Sequence, residues 1–415
     1  MTALPSVEGP IHGTVRVPGS KSETNRALVL AALADGPSRV TGALHSRDSA
    51  LMVDALRALG TEVDVDEAGT VRVRPAPVRG GGDVDCGLAG TVMRFVPPMV
   101  LLADGPVAFH GDEHASARPM AGLLDALREL GARVDGDALP FRVTPGVPRG
   151  GEVVVDASGS SQFVSGLLLV GARLDAGLRI RLLDESLPSR PHVAMTVAML
   201  REHGVRVDTP DARTWVVTPG PIRAMDTRIE PDLTNASVFL AAAAVAGGTV
   251  RVPGWPPVTT QPGARFLDIA SQMGCDTKIA YGMAMLRGSG ALHSPGTLDL
   301  HDAAELTPVV AALAALADGT TTLTGIAHVR GHETDRIAAI VAELRRCGIA
   351  ADELDDGLRI TGGTPRPATL RSYADHRMVH LAALIALVTP GTEVDDLECV
   401  SKTMPDFPER WAGIL

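Results

Sequence analysis

The hydrophobic residues of this chain recur in a pattern about 70 residues long. Each copy begins with an apolar helix and continues through a glycine-containing turn into a strand of alternating polar and apolar residues. In the first five copies an amphipathic helix, a glycine C-cap and a further strand follow, whereas 407–415 resembles a shortened sixth copy. We therefore predict six α/β units in two similar halves, with apolar helices that begin near Arg26, Arg94, Gln162, Ser237, Pro308 and Arg377.

The two kinds of helix also predict how the units pack. The first helix of each unit is apolar on nearly all sides and should be buried, whereas the second carries charge on one face and should be covered less. Buried helices inside an outer layer of sheets satisfy both requirements. The chain has no long Gly/Ser linker, so we expect the halves to be close, with the proline-rich 222–231 as a crossing point.

Composition indicates an ordinary water-soluble protein. The chain has 415 residues, of which 45% are hydrophobic and 21% charged, enough for about two domains. Residues 1–10 lack a signal-peptide pattern, and the longest apolar runs, such as 239–246, are too short to span a membrane. Four scattered cysteines without a Cys-x-x-Cys pair predict reduced thiols in the cytoplasm.

Charge argues against nucleic acid as a ligand. The formal net charge is −11 and aromatic residues make up only 3% of the chain, whereas nucleic-acid binders present basic faces and stacking rings. An anionic ligand would therefore need positive charge that is concentrated locally.

Candidate ligand-binding residues collect at the starts of the predicted buried helices. N-capping accounts for the Ser, Thr and Asp residues there, including Ser20 or Ser22. It does not account for Lys and Arg, because cations oppose the helix dipole at an N-terminus. Helix N-termini and cations together suit phosphate or carboxylate. We therefore predict an anion-binding cleft from the residues at the six starts, which are 21–26, 90–94, 158–162, 232–235, 305–307 and 375–377.

Other site types are poorly supported. No second glycine follows Gly19 at P-loop spacing, and the serines at 158–161 lack a Gly-x-Ser-x-Gly elbow. His328 and His332 have helical spacing but no third metal ligand is apparent. Glu333 and Arg336, at i and i+3, could form a simple helix ion pair.

Taken in order, the motifs resemble the enolpyruvyl transferases, most closely the 5-enolpyruvylshikimate-3-phosphate synthase family. The resemblance covers 13–411 and rests on Pro-Gly-Ser-Lys-Ser, Ala-Gly-Thr, Arg-Pro-Met, Ser-Ser-Gln, Glu-Thr-Asp-Arg, Asp-His-Arg-Met and Lys-Thr-Met-Pro-Asp. It implies an inside-out α/β barrel of two domains, each with three βαβαββ units, and an active site in the interdomain cleft that closure completes. One domain would cover 20–231, and the other 1–19 with 232–415.

The resemblance also implies a reaction and its residues. The family transfers the carboxyvinyl group of phosphoenolpyruvate to the 5-hydroxyl of shikimate 3-phosphate and releases phosphate. Glu305 would be the base, with Glu333 and Lys21 handling the proton at carbon. The phosphoenolpyruvate contacts would be Lys21, Gly90, Arg118, Gln162, Arg336, Arg377 and Lys402. The shikimate 3-phosphate contacts would be Lys21, Ser22, Arg26, Ser160, Ser161, Gln162, Ser189, Glu305 and His332.

Four positions depart from the family pattern. Glu305 stands where the family commonly has Asp, His332 where it often has Lys, Leu88 where many members have Asn, and His192 where Tyr is frequent. His332 should make its contact partly pH-dependent. Gly90 leaves room beside phosphoenolpyruvate, so we expect sensitivity to glyphosate.

Three alternatives remain open. A UDP-N-acetylglucosamine enolpyruvyl transferase would have a reactive cysteine in a mobile loop near Arg118, but 111–120 contains none. A non-catalytic anion-binding paralogue would lack some of the charged site residues, and an RNA-end-processing enzyme would be more basic. The resemblance implies small-molecule substrates without a metal or cofactor, and we expect a monomer that binds neither nucleic acid nor membrane.

Overall fold

The computed structural model describes residues 1–147, 149–184 and 187–415. Within these residues the chain divides into two compact units. The continuous unit is Gly19–Ile229, and the discontinuous unit combines Met1–Pro18 with Glu230–Leu415. Each has its own hydrophobic core. None of the helices in the described ranges is long and apolar enough to span a membrane.

The helices begin at or before the positions that the hydrophobic pattern predicts. Their bounds are α1 Lys21–Leu33, α2 Arg47–Ala58, α3 Gly90–Met99, α4 Ala121–Glu129, α5 Gln162–Gly171, α6 Arg190–Glu202, α7 Leu233–Ala246, α8 Phe266–Gln272, α9 Thr307–Leu316, α10 Arg336–Arg346, α11 His376–Leu387 and α12 Phe407–Ala412. The apolar helices at Gln162, Thr307 and His376 begin within one residue of the predicted start, and those at Lys21, Gly90 and Leu233 begin four or five residues before it.

The strands are short. They are β1 Thr2–Ala3, β2 Ile11–Thr14, β3 Ser38–Thr41, β4 Glu62–Val65, β5 Val71–Arg74, β6 Asp83–Asp85, β7 Val107–His110, β8 Arg133–Asp135, β9 Phe141–Thr144, β10 Gly151–Val155, β11 Leu178–Leu182, β12 Val207–Asp211, β13 Thr214–Val217, β14 Thr227–Arg228, β15 Gly248–Pro253, β16 Asp276–Ala280, β17 Met283–Gly288, β18 Leu292–His293, β19 Thr297–Asp299, β20 Ala317–Asp318, β21 Thr320–Thr324, β22 Ala350–Leu354, β23 Gly357–Thr361, β24 Thr369–Leu370 and β25 Glu393–Val394.

One sheet pattern recurs along the chain. The sheets β14-β3-β5-β4, β6-β7-β9-β8, β10-β11-β13-β12, β2-β15-β17-β16 and β19-β21-β23-β22 each begin with a parallel pair and continue with antiparallel pairs. In chain order β6-α3-β7-α4-β8-β9 is a complete βαβαββ unit. The structure therefore confirms the predicted α/β class and its repeated unit.

Three units borrow a strand from a distant part of the chain. β14 supplies the leading strand beside β3, and β2 supplies the leading strand beside β15. The shortened sixth unit has the sheet β24-β25-β1, in which the N-terminal strand pairs with β25. Long-range pairing thus completes units that local sequence leaves unfinished.

The apolar helices form the centre of each of the two compact units. In the continuous unit α1, α3 and α5 contact one another, and in the discontinuous unit α7, α9 and α11 do the same. Every residue of α3 is buried, whereas β3 and β5 alternate buried with exposed residues. The sheets therefore cover the helices with one face and meet solvent with the other.

Glycines end the second helix of the first five units, as predicted. These glycines have φ between +80° and +98°, a region that other residues enter only with strain. They are Gly60, Gly131, Gly204, Gly274 and Gly348.

Candidate functional site

The start of α1 places Lys21 and Ser22 on the first helical turn. Ser20 is the N-cap, and its hydroxyl accepts from the backbone N–H of Glu23 at 3.4 Å. The Lys21 ammonium donates to a carboxylate oxygen of Asp48 at 3.1 Å, and Asp48 is almost fully buried. N-capping therefore explains Ser20, while Lys21 is held by an acid from α2.

Arg26 lies one turn further along α1, where the structure buries it. Its Nε donates to Thr196 Oγ1 at 2.7 Å, and Nη2 donates to Ser165 Oγ and the His192 carbonyl. The guanidinium also lies 4.9 Å from the centre of the Phe95 ring. Burial lowers the pKa of Arg26, against a smaller opposing effect of Glu23. The side chain thus joins α1 to α5 and α6, and its contact with shikimate 3-phosphate stays a prediction.

Two arginines lie beside Gly90 at the start of α3. A Cβ built on Gly90 would be 2.7 Å from Arg94 Nη1 and 3.0 Å from Arg118 Nη2. Arg118 Nη1 donates to the Leu88 carbonyl at 2.8 Å, and Arg94 Nη2 donates to the Pro119 carbonyl at 2.9 Å. Backbone carbonyls thus fix both guanidinium groups against the bare glycine backbone.

Polar residues also lie at the starts of α5 and α6, and one of them, Gln162, contacts Arg94. Ser160 Oγ accepts from the Gln162 backbone N–H at 3.2 Å, and Gln162 Oε1 lies 3.4 Å from Arg94 Nη1. Ser161 is buried at the N-cap position of α5. Ser189 caps α6 with a left-handed backbone, φ +50°.

In the discontinuous unit the polar contacts converge on Arg336, the first residue of α10. Nε donates to Asp375 at 2.7 Å, Nη1 to Glu305 at 2.8 Å and Nη2 to Glu333 at 2.8 Å. Further contacts reach His332 Nδ1 at 2.9 Å and the second Asp375 oxygen at 3.3 Å. These five contacts match the five N–H groups of a guanidinium.

Two more cations complete this cluster. Arg377 Nε lies 2.6 Å from Glu305 Oε2, and Lys402 Nζ donates to Glu333 Oε1 at 3.0 Å. We call the seven residues the Arg336 network. Its three cations face three carboxylates, so their formal charges cancel when the imidazole is neutral; its members are Glu305, His332, Glu333, Arg336, Asp375, Arg377 and Lys402.

The contacts within the network keep both Glu305 and Arg336 ionised. Burial opposes ionisation of Glu305, but Arg336, Arg377 and His332 outweigh it and hold the pKa of Glu305 well below its ordinary value. Burial likewise opposes the charge of Arg336, but Asp375 and Glu305 raise the pKa of Arg336 well above its ordinary value. The Glu305 side chain keeps 22% of its surface exposed, whereas Arg336 keeps 1%. Glu305 is therefore an ionised carboxylate that solvent can still reach.

His332 offers one nitrogen to two partners. Its Nδ1 lies 2.9 Å from Arg336 Nη1 and 3.4 Å from Glu305 Oε1. A bare Nδ1 accepts from Arg336, whereas a protonated Nδ1 donates to Glu305. Protonation of His332 therefore exchanges one contact of the network for the other.

The structure thus brings the predicted residues together in three groups. Lys21 and Ser22 share the α1 start, and Gly90, Arg118 and Gln162 meet around Arg94. Glu305, His332, Glu333, Arg336, Arg377 and Lys402 form one network. Across the described ranges, no cluster of three or more His, Cys, Asp or Glu side chains has the arrangement of a metal site.

Three residues with direct contacts here had no role assigned in the predicted site, although Arg94 and Asp375 lie within the predicted helix starts 90–94 and 375–377. Asp375 reads in the sequence as a helix N-cap, and it does accept from the Arg377 N–H at 3.0 Å. Asp48 resembles an ordinary acid in a first helical turn. Arg94 is a cation at the start of a helix, where it opposes the helix dipole, and this position is the signal that the sequence gives for it.

Comparison with known proteins identifies the family. The model of the EPSP synthase (3-phosphoshikimate 1-carboxyvinyltransferase) family matches residues 6–411. Two structures of EPSP synthase from Acinetobacter baumannii are 26% identical; one has a TM-score of 0.80 and covers 99% of this chain and 97% of that one. The other has a TM-score of 0.79 over 100% of this chain and 98% of that one. The enolpyruvyl transferase NikO from Streptomyces tendae, 20% identical over 99% of this chain and 96% of its own, shares the fold with a TM-score of 0.77. The chain therefore belongs to the EPSP synthase family.

Proposed function

We propose that this protein transfers the enolpyruvyl group of phosphoenolpyruvate to the 5-hydroxyl of shikimate 3-phosphate. The products are 5-enolpyruvylshikimate 3-phosphate and phosphate. The observation that carries the proposal is the contact of Glu305, one candidate base, with both Arg336 and Arg377. A base whose carboxylate contacts two cations that can bind an anion suits a reaction between an alcohol and a phosphate ester.

Phosphoenolpyruvate is proposed to bind the cations of both units. Arg118, fixed beside Gly90, and Gln162 would take part from the continuous unit together with Lys21. Their counterparts from the discontinuous unit would be Arg336, Arg377 and Lys402. Guanidinium forks suit the carboxylate and the phosphate, and their charges would stabilise negative charge that moves to the leaving phosphate.

Shikimate 3-phosphate is proposed to bind hydroxyl and amide groups at helix starts. Ser160, Ser161 and Gln162 lie at the N-terminus of α5, where backbone N–H groups and the helix dipole favour a phosphate. Lys21, Ser22, Arg26 and Ser189 would add contacts, and Arg26 also joins α1 to α5 and α6. Glu305 and His332 would receive the end of the substrate that carries the 5-hydroxyl.

The chemistry needs a base and an acid. Glu305 would accept the proton of the 5-hydroxyl while the hydroxyl oxygen bonds to C2 of phosphoenolpyruvate. Lys21 or Glu333 would deliver a proton to C3. A proton from C3 then returns to that acid, the C2–C3 double bond re-forms as the bond between C2 and the phosphate oxygen breaks, and the released phosphate takes up the proton held by Glu305. The acceptor hydroxyl oxygen remains as the ether oxygen of the product.

The internal ion pairs bear directly on this proposal. Arg336, Arg377 and Lys402 already contact carboxylates, and Lys21 contacts Asp48. Phosphoenolpyruvate must therefore compete with these acids for the same cations. Moving Arg377 from Glu305 to the substrate would also raise the basicity of Glu305, because its low pKa comes from those cations. Substrate binding would then release the base.

We propose a cytoplasmic monomer that uses small-molecule substrates and is inhibited by glyphosate. The four cysteines are free thiols, three of them buried, which fits a reducing compartment.

The experiment is phosphate release from phosphoenolpyruvate with each acceptor in turn. We expect release with shikimate 3-phosphate and none with UDP-N-acetylglucosamine or without acceptor. Release only with UDP-N-acetylglucosamine would assign the other transferase activity. Binding of either ligand without release would favour the non-catalytic paralogue.

A further inference from the structure

The loop before α11 contains two residues in the left-handed backbone region. Tyr373 has φ +56° and Ala374 has φ +53°. Residues other than glycine adopt this conformation at a cost in free energy, and it persists where surrounding contacts impose it. We call 371–375 the α11 loop. Its strained residues precede Arg377 by only three and four positions, so they lie next to the Arg336 network.

Glu343 of α10 holds the first part of this loop. The carboxylate is fully buried and accepts from the Tyr373 hydroxyl at 2.8 Å and the Arg371 backbone N–H at 3.0 Å. Arg346 Nε donates to it at 2.9 Å and supplies the counter-charge. A buried carboxylate with three donors is a stable anchor. Burial, with a further effect of Glu343, raises the pKa of Tyr373 to about 12, so the phenol keeps the proton that it donates.

Arg336 holds the other end of the loop. It precedes Glu343 by seven residues, which is about two turns of α10 and places both on one helix face. Its Nε donates to Asp375 at 2.7 Å, and Asp375 in turn accepts from the Arg377 N–H. The strained residues therefore lie between two attachment points on the same helix.

We propose that Glu343 and Tyr373 are positioning residues, which fix the α11 loop and thereby orient Arg377 toward phosphoenolpyruvate. Neither residue contacts the substrate in this proposal. The proposal rests on the proposed function, because phosphoenolpyruvate is the ligand that Arg377 would bind. Without the Tyr373–Glu343 hydrogen bond the loop can relax its left-handed residues, and the N-terminus of α11 loses its fixed position.

The test begins with Tyr373→Phe, which removes a single oxygen atom. This variant should fold, because the Ser372 N–H still donates to Asp395 Oδ1 at 2.8 Å and Asp375 still binds Arg336. We expect the KM for phosphoenolpyruvate to rise about 3- to 10-fold, the effect of losing one hydrogen bond. The kcat and the KM for shikimate 3-phosphate should change less than about 2-fold, because the loop affects substrate binding more than the chemical step.

Glu343→Gln tests the other partner at nearly constant volume. It should raise the KM for phosphoenolpyruvate in the same way. If the two residues act as one attachment, the effects of the single variants should not add, and the double variant should be no more impaired than the more impaired single variant, because both changes act on the same hydrogen bond.

Tyr281 supplies the matched control. It is the other of the two tyrosines in the chain and is fully exposed at the turn between β16 and β17. Tyr281→Phe should leave all kinetic constants unchanged. In that background a ¹³C-labelled ring reports Tyr373 alone, and its signal should shift when Glu343→Gln weakens the hydrogen bond.

The outcomes distinguish the positioning role of Glu343 and Tyr373 from the proposed function on which it rests. An active wild-type protein whose Tyr373→Phe variant keeps its KM for phosphoenolpyruvate overturns the positioning role, as does a lower melting temperature without a change in KM. A wild-type protein that releases no phosphate with shikimate 3-phosphate refutes the proposed function, and the positioning role falls with it. An unshifted ring signal would show that the hydrogen bond is absent.

Discussion

At the scale of single residues, Arg336 explains why the charged groups of the discontinuous unit form one network. A buried guanidinium needs counter-charges, and Glu305, Glu333 and Asp375 provide them at 2.7–2.8 Å. Those same carboxylates hold Arg377 and Lys402. The residues proposed for acid–base chemistry are therefore also the internal partners of the residues proposed for substrate binding.

Glu305→Gln separates these two roles. The amide cannot accept the hydroxyl proton, so we expect kcat to fall about 10²- to 10⁴-fold. It also removes a carboxylate that competes for Arg336 and Arg377, so phosphoenolpyruvate should bind at least as tightly as to the wild type. Calorimetric titration and turnover measurements check both effects.

Asp352→Asn is the control, since it removes one carboxylate from an exposed ion pair with Arg345. It should change neither quantity. A Glu305→Gln variant with near-normal turnover would exclude Glu305 as the base.

Gly90→Ala tests the crowding beside Arg118. The new Cβ would lie 2.7 Å from Arg94 Nη1 and 3.0 Å from Arg118 Nη2, too close for either group to stay in place. Because the Leu88 carbonyl holds Arg118, we expect displacement and a KM for phosphoenolpyruvate about 10-fold higher, or roughly 1.4 kcal/mol. Inhibition by glyphosate, measured in the same assay, should weaken as well.

Gly36→Ala provides the comparison, because its Cβ would meet only Ala224 Cβ at an ordinary 3.4 Å. Unchanged kinetics in Gly90→Ala would mean that Arg118 does not bind the substrate.

His332→Lys tests the pH-dependent contact. Imidazoles ordinarily lose their proton near pH 6.5, whereas lysine stays charged, so the variant keeps a cation beside Glu305 at higher pH. The KM of the wild type for shikimate 3-phosphate, divided by that of His332→Lys, should rise several-fold between pH 5.5 and 8. The ratio cancels ionisation of the substrate, and a constant ratio would remove His332 from the contact.

At the scale of elements, α11 connects the site to the core. Its first turn carries Arg377, and one turn later His380 is fully buried, with its ring 5.2 Å from Phe407 of α12. Neither ring nitrogen of His380 has a hydrogen-bond partner among the described residues. Burial first, and then Arg377 and Arg336, lower the pKa of His380 to about 3. The folded protein therefore favours the neutral imidazole of His380.

The stability of the protein should fall in acid for this reason. Unfolded His380 takes up a proton near pH 6.5, whereas the folded form does so only near 3, so the stabilisation is complete above pH 6.5 and is lost as the pH falls toward 3. His380→Phe removes the group, so its melting temperature should decline less between pH 7 and 4.5 than that of the wild type. The exposed His293→Asn is the control. Equal declines in all three proteins would contradict this account.

Element starts and ends could be predicted from the sequence because their signals are local. Blocks of apolar residues indicate the buried helices, and glycine with positive φ ends the second helix of the first five units. Strand partnership was not predictable in the same way. The pairing of β14 with β3, and of β2 with β15, joins segments about 190 and 240 residues apart, which no local pattern encodes.

At the scale of the whole molecule, the chain passes between its two units twice, near Pro18 and near Ile229. The discontinuous unit therefore combines the two ends of the chain, and the continuous unit is the segment between them in the sequence. Candidate residues occur in both units, and the sequence motifs predicted which residues these are. The motifs did not reveal the partners, because the orientation of a side chain depends on packing. Asp48, Asp375 and the carbonyls of Leu88 and His192 became evident only in the structure.

In the proposed reaction an alcohol oxygen replaces the phosphate oxygen at C2 of phosphoenolpyruvate. The most direct test uses phosphoenolpyruvate labelled with ¹⁸O at the bridging oxygen, together with shikimate 3-phosphate, and mass spectrometry of both products. Enolpyruvyl transfer breaks the bond between carbon and this oxygen, so we predict the label in phosphate and an unlabelled ether in the enolpyruvyl product. Label retained in pyruvate, with shikimate 3-phosphate unchanged, would show hydrolysis at phosphorus and contradict the account.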